Sequence, residues 1–167
     1  MINEPDDRGE MDQIEPWTAA DIEDVGRILN AASPYDKFTS NQLREAVFDD
    51  PDGNPDLLLC GRTNGDLVAV AAAVVRRATV DNAERVGFIE LLGVAPEWQR
   101  QGWCTRLLDD LENRLASLGV TAVGAFADSP SHLASGVDFR LTSLVCLLLR
   151  RGYEPRGTTV NMEAVLT

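Results

Sequence analysis

The residues of this 167-residue chain that could do chemistry fall in one region. Gln99-Arg100-Gln101-Gly102-Trp103-Cys104 follows the apolar run RVGFIELLGVA and precedes a leucine-rich segment. A glycine where a strand turns into a helix lets the backbone approach a ligand. The first amides of the helix, unpaired and at the positive end of its dipole, attract phosphate. Arg100 would add a cation. The same glycine could equally ease a strand–helix corner, and four residues alone do not separate the two readings. Glu90 is the only carboxylate inside the preceding apolar run. Burying it is costly unless it is paired or functional, so it is either a proton acceptor or the partner of an arginine such as Arg76 or Arg77. Strict alternation along a strand would put it on one face with Leu92 and Val94. His132, the only histidine, has an ordinary pKa suited to proton transfer and is a minor candidate, since a lone loop histidine is usually surface.

The elements that must position these groups are legible from periodicity. MDQIEP suits a short first strand, and TAADIEDVGRILNAA has Ile22, Val25, Ile28 and Leu29 at helical spacing. Thr18 and Asp21 form a capping-box pattern at its start. A second helix is predicted from Thr39 or Ser40 to about Phe48. DLLLCGR and DLVAVAAAVVRR flank Thr63-Asn64-Gly65, a hairpin signal because Asn and Gly both tolerate positive φ. RVGFIELLGVA, entered through a turn at Asp81-Asn82, is apolar on both faces and reads as a central strand. CTRLLDDLENRLASLG places Leu107, Leu108, Leu111, Leu115 and Leu118 on one helical face and stops at Gly119. AVGAFAD reads as a strand, SPSHLASGVD as a loop, and FRLTSLVCLLLRRG as a last helix. Alternation around Thr158, Val160, Met162 and Ala164 predicts a closing strand. The order is that of a mixed α/β fold with helices on the faces of one sheet.

Composition narrows the function classes. With 44% hydrophobic and 25% charged residues the chain is of ordinary globular type. Residues 1–10 read as a disordered acidic lead-in without signal-peptide character, and 11–167 as a single domain, giving an intracellular, cytoplasmic expectation. No apolar run approaches the ~20 residues of a membrane span, so no membrane role is expected. A net charge of -12 would repel nucleic acid. The three cysteines match neither a disulfide framework nor a paired metal site. Cys60 and Cys146, in apolar company, read as small buried side chains.

V-A-P-E-W-Q-R-Q-G-W-C, followed by an amphipathic helix ending in glycine, resembles the acetyl-CoA-binding segment of the GNAT superfamily of N-acetyltransferases. That segment is usually a strand ending in Val-x-Pro and then Gln/Arg-x-x-Gly-x-Gly/Ala. RRGYEP is similar to the family's helix ending in Gly-Phe, and the element order agrees over nearly the whole chain. The resemblance implies a GNAT-like acyl-CoA N-acyltransferase fold, a single mixed, mostly antiparallel central sheet flanked by about four helices. It implies acetyl-CoA as cosubstrate and a primary amine, on a small molecule or peptide, as acceptor, attacked directly in a ternary complex. Backbone amides of Gln99, Arg100, Gln101, Gly102, Trp103 and Cys104, with Thr105 close by, would bind the pyrophosphate. Val94 would pair its backbone with the pantetheine arm, and Leu92 would aim its N–H at the thioester carbonyl. Gly93 would help a bulge there. Glu90 would act as base, directly or through water, and His132 would border the substrate pocket. Members of the family are often dimers, so a homodimer is admitted.

Three features depart from the family pattern, and the asparagine often found near the start of the last helix is also missing, the nearest residues being Leu141 and Thr142. Cys104 stands where Gly or Ala is usual and is expected as a neutral, buried thiol. Leu148 occupies the position of the tyrosine that often protonates the leaving thiolate. The loop SHLASGVDFR is longer than a minimal connection and faintly resembles a bacterial branch with Pro-Gly-Val-Asp, Ser135 standing at the proline. These departures keep a second reading open, a non-catalytic GNAT-fold module that binds acyl-CoA or a protein.

Overall fold

The computed structural model describes residues 12–77, 85–126, 133–134 and 136–158. Five strands form one sheet in the order β1 to β5: β1 (Gln13–Pro16), β2 (Leu58–Thr63), β3 (Asp66–Arg77), β4 (Arg85–Val94) and β5 (Ala122–Ala125). Neighbours are antiparallel except β4 and β5, which run parallel. Helices α1 (Ile22–Ala32) and α2 (Ser40–Val47) cover one face. The other face carries α3 (Trp103–Ser117) and α4 (Thr142–Arg150). The expected closing strand, the Asp81-Asn82 turn and the lead-in lie outside the described residues. Among the described residues no helix is long and apolar enough to cross a membrane.

Local chemistry explains most boundaries. The Thr18–Asp21 capping box forms, although it starts a 3-10 turn that runs into α1. Thr39 and Gln42 make a second box at α2. Asn64 (φ 52°) and Gly65 (φ 86°) close the β2–β3 hairpin as their types require. The leucines of α3 are buried against the sheet at Leu107, Leu108, Leu111 and Leu115. Leu118 falls at the helix end and is exposed.

Two irregularities shape the sheet. Between Arg62↔Leu67 and Gly61↔Ala69, β3 carries Val68 as an extra residue. Between Ala73↔Ile89 and Ala72↔Leu91, β4 carries Glu90 as an extra residue. Such bulges bend the strand and re-aim side chains. The expected bulge at Gly93 is therefore displaced to Glu90. Gly93 serves packing instead, because a Cβ there would lie 2.9 Å from Leu29 Cδ2 of α1. The bulge also shifts the alternation: Ile89 packs in the α3-side core with Leu92 and Val94, while Leu91 faces α1.

Candidate functional site

The parallel pairing of β4 and β5 covers only the first half of β4. It runs from Val86↔Ala122 to Ile89↔Ala125, and its last bond is Phe126 N–H to Ile89 O at 2.8 Å. Phe126 then turns into the left-handed region (φ 57°) and β5 ends. Beyond Ile89 no described residue of β5 pairs with β4, and a cleft of about 850 Å³ opens between β4, Phe126, α4 and the start of α3.

The ladder fixes which backbone groups face that opening. Ala95 N–H donates to Val68 O at 2.9 Å, which sets the phase of the β3–β4 pairing. Alternation along an antiparallel pair then directs the N–H and C=O of Leu92 and Val94 away from β3, toward the cleft. The Val94 carbonyl accepts a hydrogen bond from Gln99 Nε2 at 3.2 Å. Leu92 and Val94 line the cleft together with Glu90, which is only 5% exposed.

At the far end, the turn before α3 is held by two left-handed residues, Arg100 (φ 62°) and Gly102 (φ 87°). Gly102 is the N-cap, and no side chain caps the helix. A Cβ on Gly102 would meet nothing within 4 Å, so glycine is needed there for its φ, and the space in front of the first amides of α3 is open. Gln99, Arg100, Gly102, Cys104 and Thr105 line the cleft. The side chain of Gln101 instead donates to Glu97 O at 3.1 Å. The Trp103 side chain is buried, so only its amide belongs to the turn. Its ring lies where a Cβ on Gly61 would fall, 2.3 Å from Cζ3, and Arg106 stacks on it at 4.3 Å. Cys104 is mostly buried, and burial pushes its thiol up to about 11, the neutral state expected for it.

Of the arginines weighed as partners of Glu90, Arg77 lies opposite Arg85 at the far end of β4 and Arg76 opposite Val86. Arg76 binds Asp50 in a bidentate arrangement and reaches Asp52 Oδ2 at 2.9 Å. Its hydrogen bond to Asp50 is the main reason the Asp50 carboxyl is held below its ordinary value. His132 lies outside the described residues.

Several cleft residues were not singled out from sequence. Asp36 and Phe38 enter from the α1–α2 connection, and Asp138 and Arg140 from the segment before α4. Asp138 and Arg140 pair at 2.5 Å, and Arg140 lies 3.5 Å from the Tyr35 ring centroid, tying the two connections together. The Arg140 bonds hold Asp138 down to about 2. From α4, Ser143, Cys146, Leu147 and Arg150 line the cleft, whereas Leu148 points into the core. Cys146 is exposed, not buried as its apolar neighbours suggested. Two residues separate it from Leu148, about 200° around the helix, so when Leu148 faces the core Cys146 cannot. The signal missed was the pairing of Arg150 and Arg151, whose side chains must diverge by about 100°.

The description that fits residues 22–135 by family model is the acetyltransferase (GNAT) family. No curated protein matches the chain by sequence. Solved structures share the fold. A transcriptional regulator from Bacillus halodurans C-125 aligns at 11% identity over 92% of this chain and all of its own, with a TM-score of 0.70. The aminoglycoside N-acetyltransferase AAC(6')-Iy in complex with CoA aligns at 14% identity over 95% of this chain and 97% of its own, TM-score 0.66. The aminoglycoside antibiotic 6'-N-acetyltransferase AAC(6')-IG from Acinetobacter haemolyticus aligns at 18% identity over 93% and 99%, TM-score 0.63.

Proposed function

The chain belongs to the acetyltransferase (GNAT) family, and we propose that it transfers an acetyl group from acetyl-CoA to a primary amine held in the same cleft. The observation that carries this reading is the end of the described β4–β5 pairing at Ile89, one residue before the Glu90 bulge. It leaves backbone donors and acceptors of Leu92 and Val94 facing a cleft that ends at an uncapped helix start. The residues present suit such a cosubstrate. Amides at the head of α3, with Arg100, would hold the diphosphate. Val94 would bond the pantetheine arm as an added strand would, with Gln99 giving up or sharing the Val94 carbonyl.

Chemistry would occur one bulge away. Leu92 N–H would donate to the acetyl oxygen as charge develops there, a preorganised contact of a type that contributes roughly 2.7–4 kcal/mol in other enzymes. Glu90, directly or through one water, would accept the proton of the ammonium form so that the nitrogen lone pair is free. A C–N bond then forms and the C–S bond breaks. Leu148 is turned into the core and none of the described α4 residues is a tyrosine, so solvent would return a proton to the departing thiolate. The carboxylate of Asp36 at the cleft wall suits a cationic acceptor, while that of Asp138 is already engaged by Arg140.

That missing hydroxyl favours one other reading, a GNAT-fold module that binds acyl-CoA without catalysis. Two measurements separate the cases. Acetyl-CoA at 100 times its Kd should stabilise the protein by about 2.7 kcal/mol, a rise of roughly 5–10 °C in Tm. No shift with acetyl-CoA or CoA at millimolar concentration would end both readings. Given a shift, thiol release with a panel of mono-, di- and polyamines and peptide N-termini identifies the enzyme; release no faster than without amine leaves the binding module.

A further inference from the structure

Arg150 is a cation that the fold leaves free in an acidic chain. Among the described residues, seven arginines hold carboxylates in ion pairs. Three arginines line the cleft, and Arg140 is spent on Asp138. Among the described residues, Arg100 and Arg150 engage no carboxylate.

The neighbouring residue shows how Arg150 is placed. Arg151 Nη2 binds Glu112 Oε2 at 2.6 Å and Asp109 Oδ1 at 2.8 Å, both on α3. Tyr153 donates its hydroxyl to Glu112 Oε1 at 2.8 Å. This clamp fastens the end of α4 to the middle of α3. It also pairs two α3 carboxylates with a cation of their own. Arg150, one position earlier, is exposed and projects into the cleft instead.

We infer that Arg150 forms a separate phosphate subsite that binds the 3'-phosphate of CoA, so that the protein distinguishes CoA from its 3'-dephospho form. This rests on the cleft being the acetyl-CoA site. A phosphomonoester carries about −1.5 to −2 charge at pH 7, and in a chain of net charge -12 it needs a local cation. The head of α3 and Arg100 are already matched to the diphosphate, which leaves Arg150 for the second anionic group.

Titration calorimetry with CoA and 3'-dephospho-CoA tests this on the wild type, Arg150→Gln, Arg150→Lys and Arg100→Gln. A charge-assisted bond is worth enough for the wild type to prefer CoA by roughly tenfold or more. Arg150→Gln should erase that preference by weakening CoA alone, and Arg150→Lys should keep most of it. Arg100→Gln should weaken both ligands by one factor. The subsite is overturned if the wild type binds both ligands equally, or if Arg150→Gln leaves the preference intact or weakens both alike. Binding of neither ligand would overturn the cosubstrate reading itself. Because Arg150 makes no ion pair, its variants should melt with the wild type, which separates a lost subsite from a lost fold.

Discussion

The two halves of β4 have nearly the same composition and opposite roles. Residues 86–89 are paired on both edges, to β3 and β5, and pack on α3, where Gly87 lies against Leu115 and Val120. Residues 91–94 keep β3, pair with no described residue of β5, and line a cleft. In the first half the strand has a partner on either side. In the second half the groups of Leu92 and Val94 that point away from β3 face the cleft, where the Val94 carbonyl accepts from Gln99. Glu90 sits at the division, as the bulge between the half of β4 paired on both edges and the half that lines the cleft.

Substitutions on either side should therefore separate rate from stability. The largest effect is expected at the division itself. Glu90→Gln should lower kcat/KM by roughly 10²–10⁴, flatten the acidic limb of the pH–rate profile and leave the Kd for acetyl-CoA unchanged. If Tm falls while the pH profile keeps its shape, Glu90 belongs to the structural half. Next, Leu115→Ala should cost about 2–5 kcal/mol by opening a cavity behind Gly87. Tm should then drop by roughly 4–20 °C with ligand affinity intact, and an equal loss of affinity would erase the contrast. A chemical probe sharpens it further. Cys146 should take the first equivalent of iodoacetamide at pH 8, ahead of Cys60 and Cys104, whose thiols burial raises to about 11. CoA should slow that alkylation, as read by peptide mass. The smallest effect lies beside the structural half, where Arg76 pairs with Val86 across the strands and holds Asp50. The Asp50 carboxyl is lowered, so its stabilisation is present above the ordinary value of 3.8 and lost as pH falls through the lower folded value. Acid melts should show that loss in the wild type and not in Asp50→Asn.

Much of this layout is legible from residue types. Glycine, asparagine and the Thr-x-x-Asp and Thr-x-x-Gln boxes mark ends because each satisfies or frees particular backbone groups. The leucine stripe of α3 needs no tertiary knowledge, since only one helical face carries it. The site was legible where it depends on backbone: the Gln-x-x-Gly turn and the edge of β4. It was not legible where it depends on which way a helix is rolled. LVCLLL is apolar throughout, so its composition does not say that Leu148 turns inward and Cys146 outward, and the only local signal is the helical phase of Arg150 and Arg151 beyond it. Nor does period-two counting register one inserted residue, which moved the expected bulge from Gly93 to Glu90.

By itself, then, the order of residues determined the elements, their ends and the strand–turn–helix segment suited to phosphate, because these follow from short-range hydrogen bonding and periodicity. Only the folded chain decided the rest. Where β5 stops beside β4, which of two adjacent arginines is consumed by α3, and which acidic side chains gather at the cleft are long-range matters of packing and charge. They are settled by partners tens of residues away, which no local pattern contains.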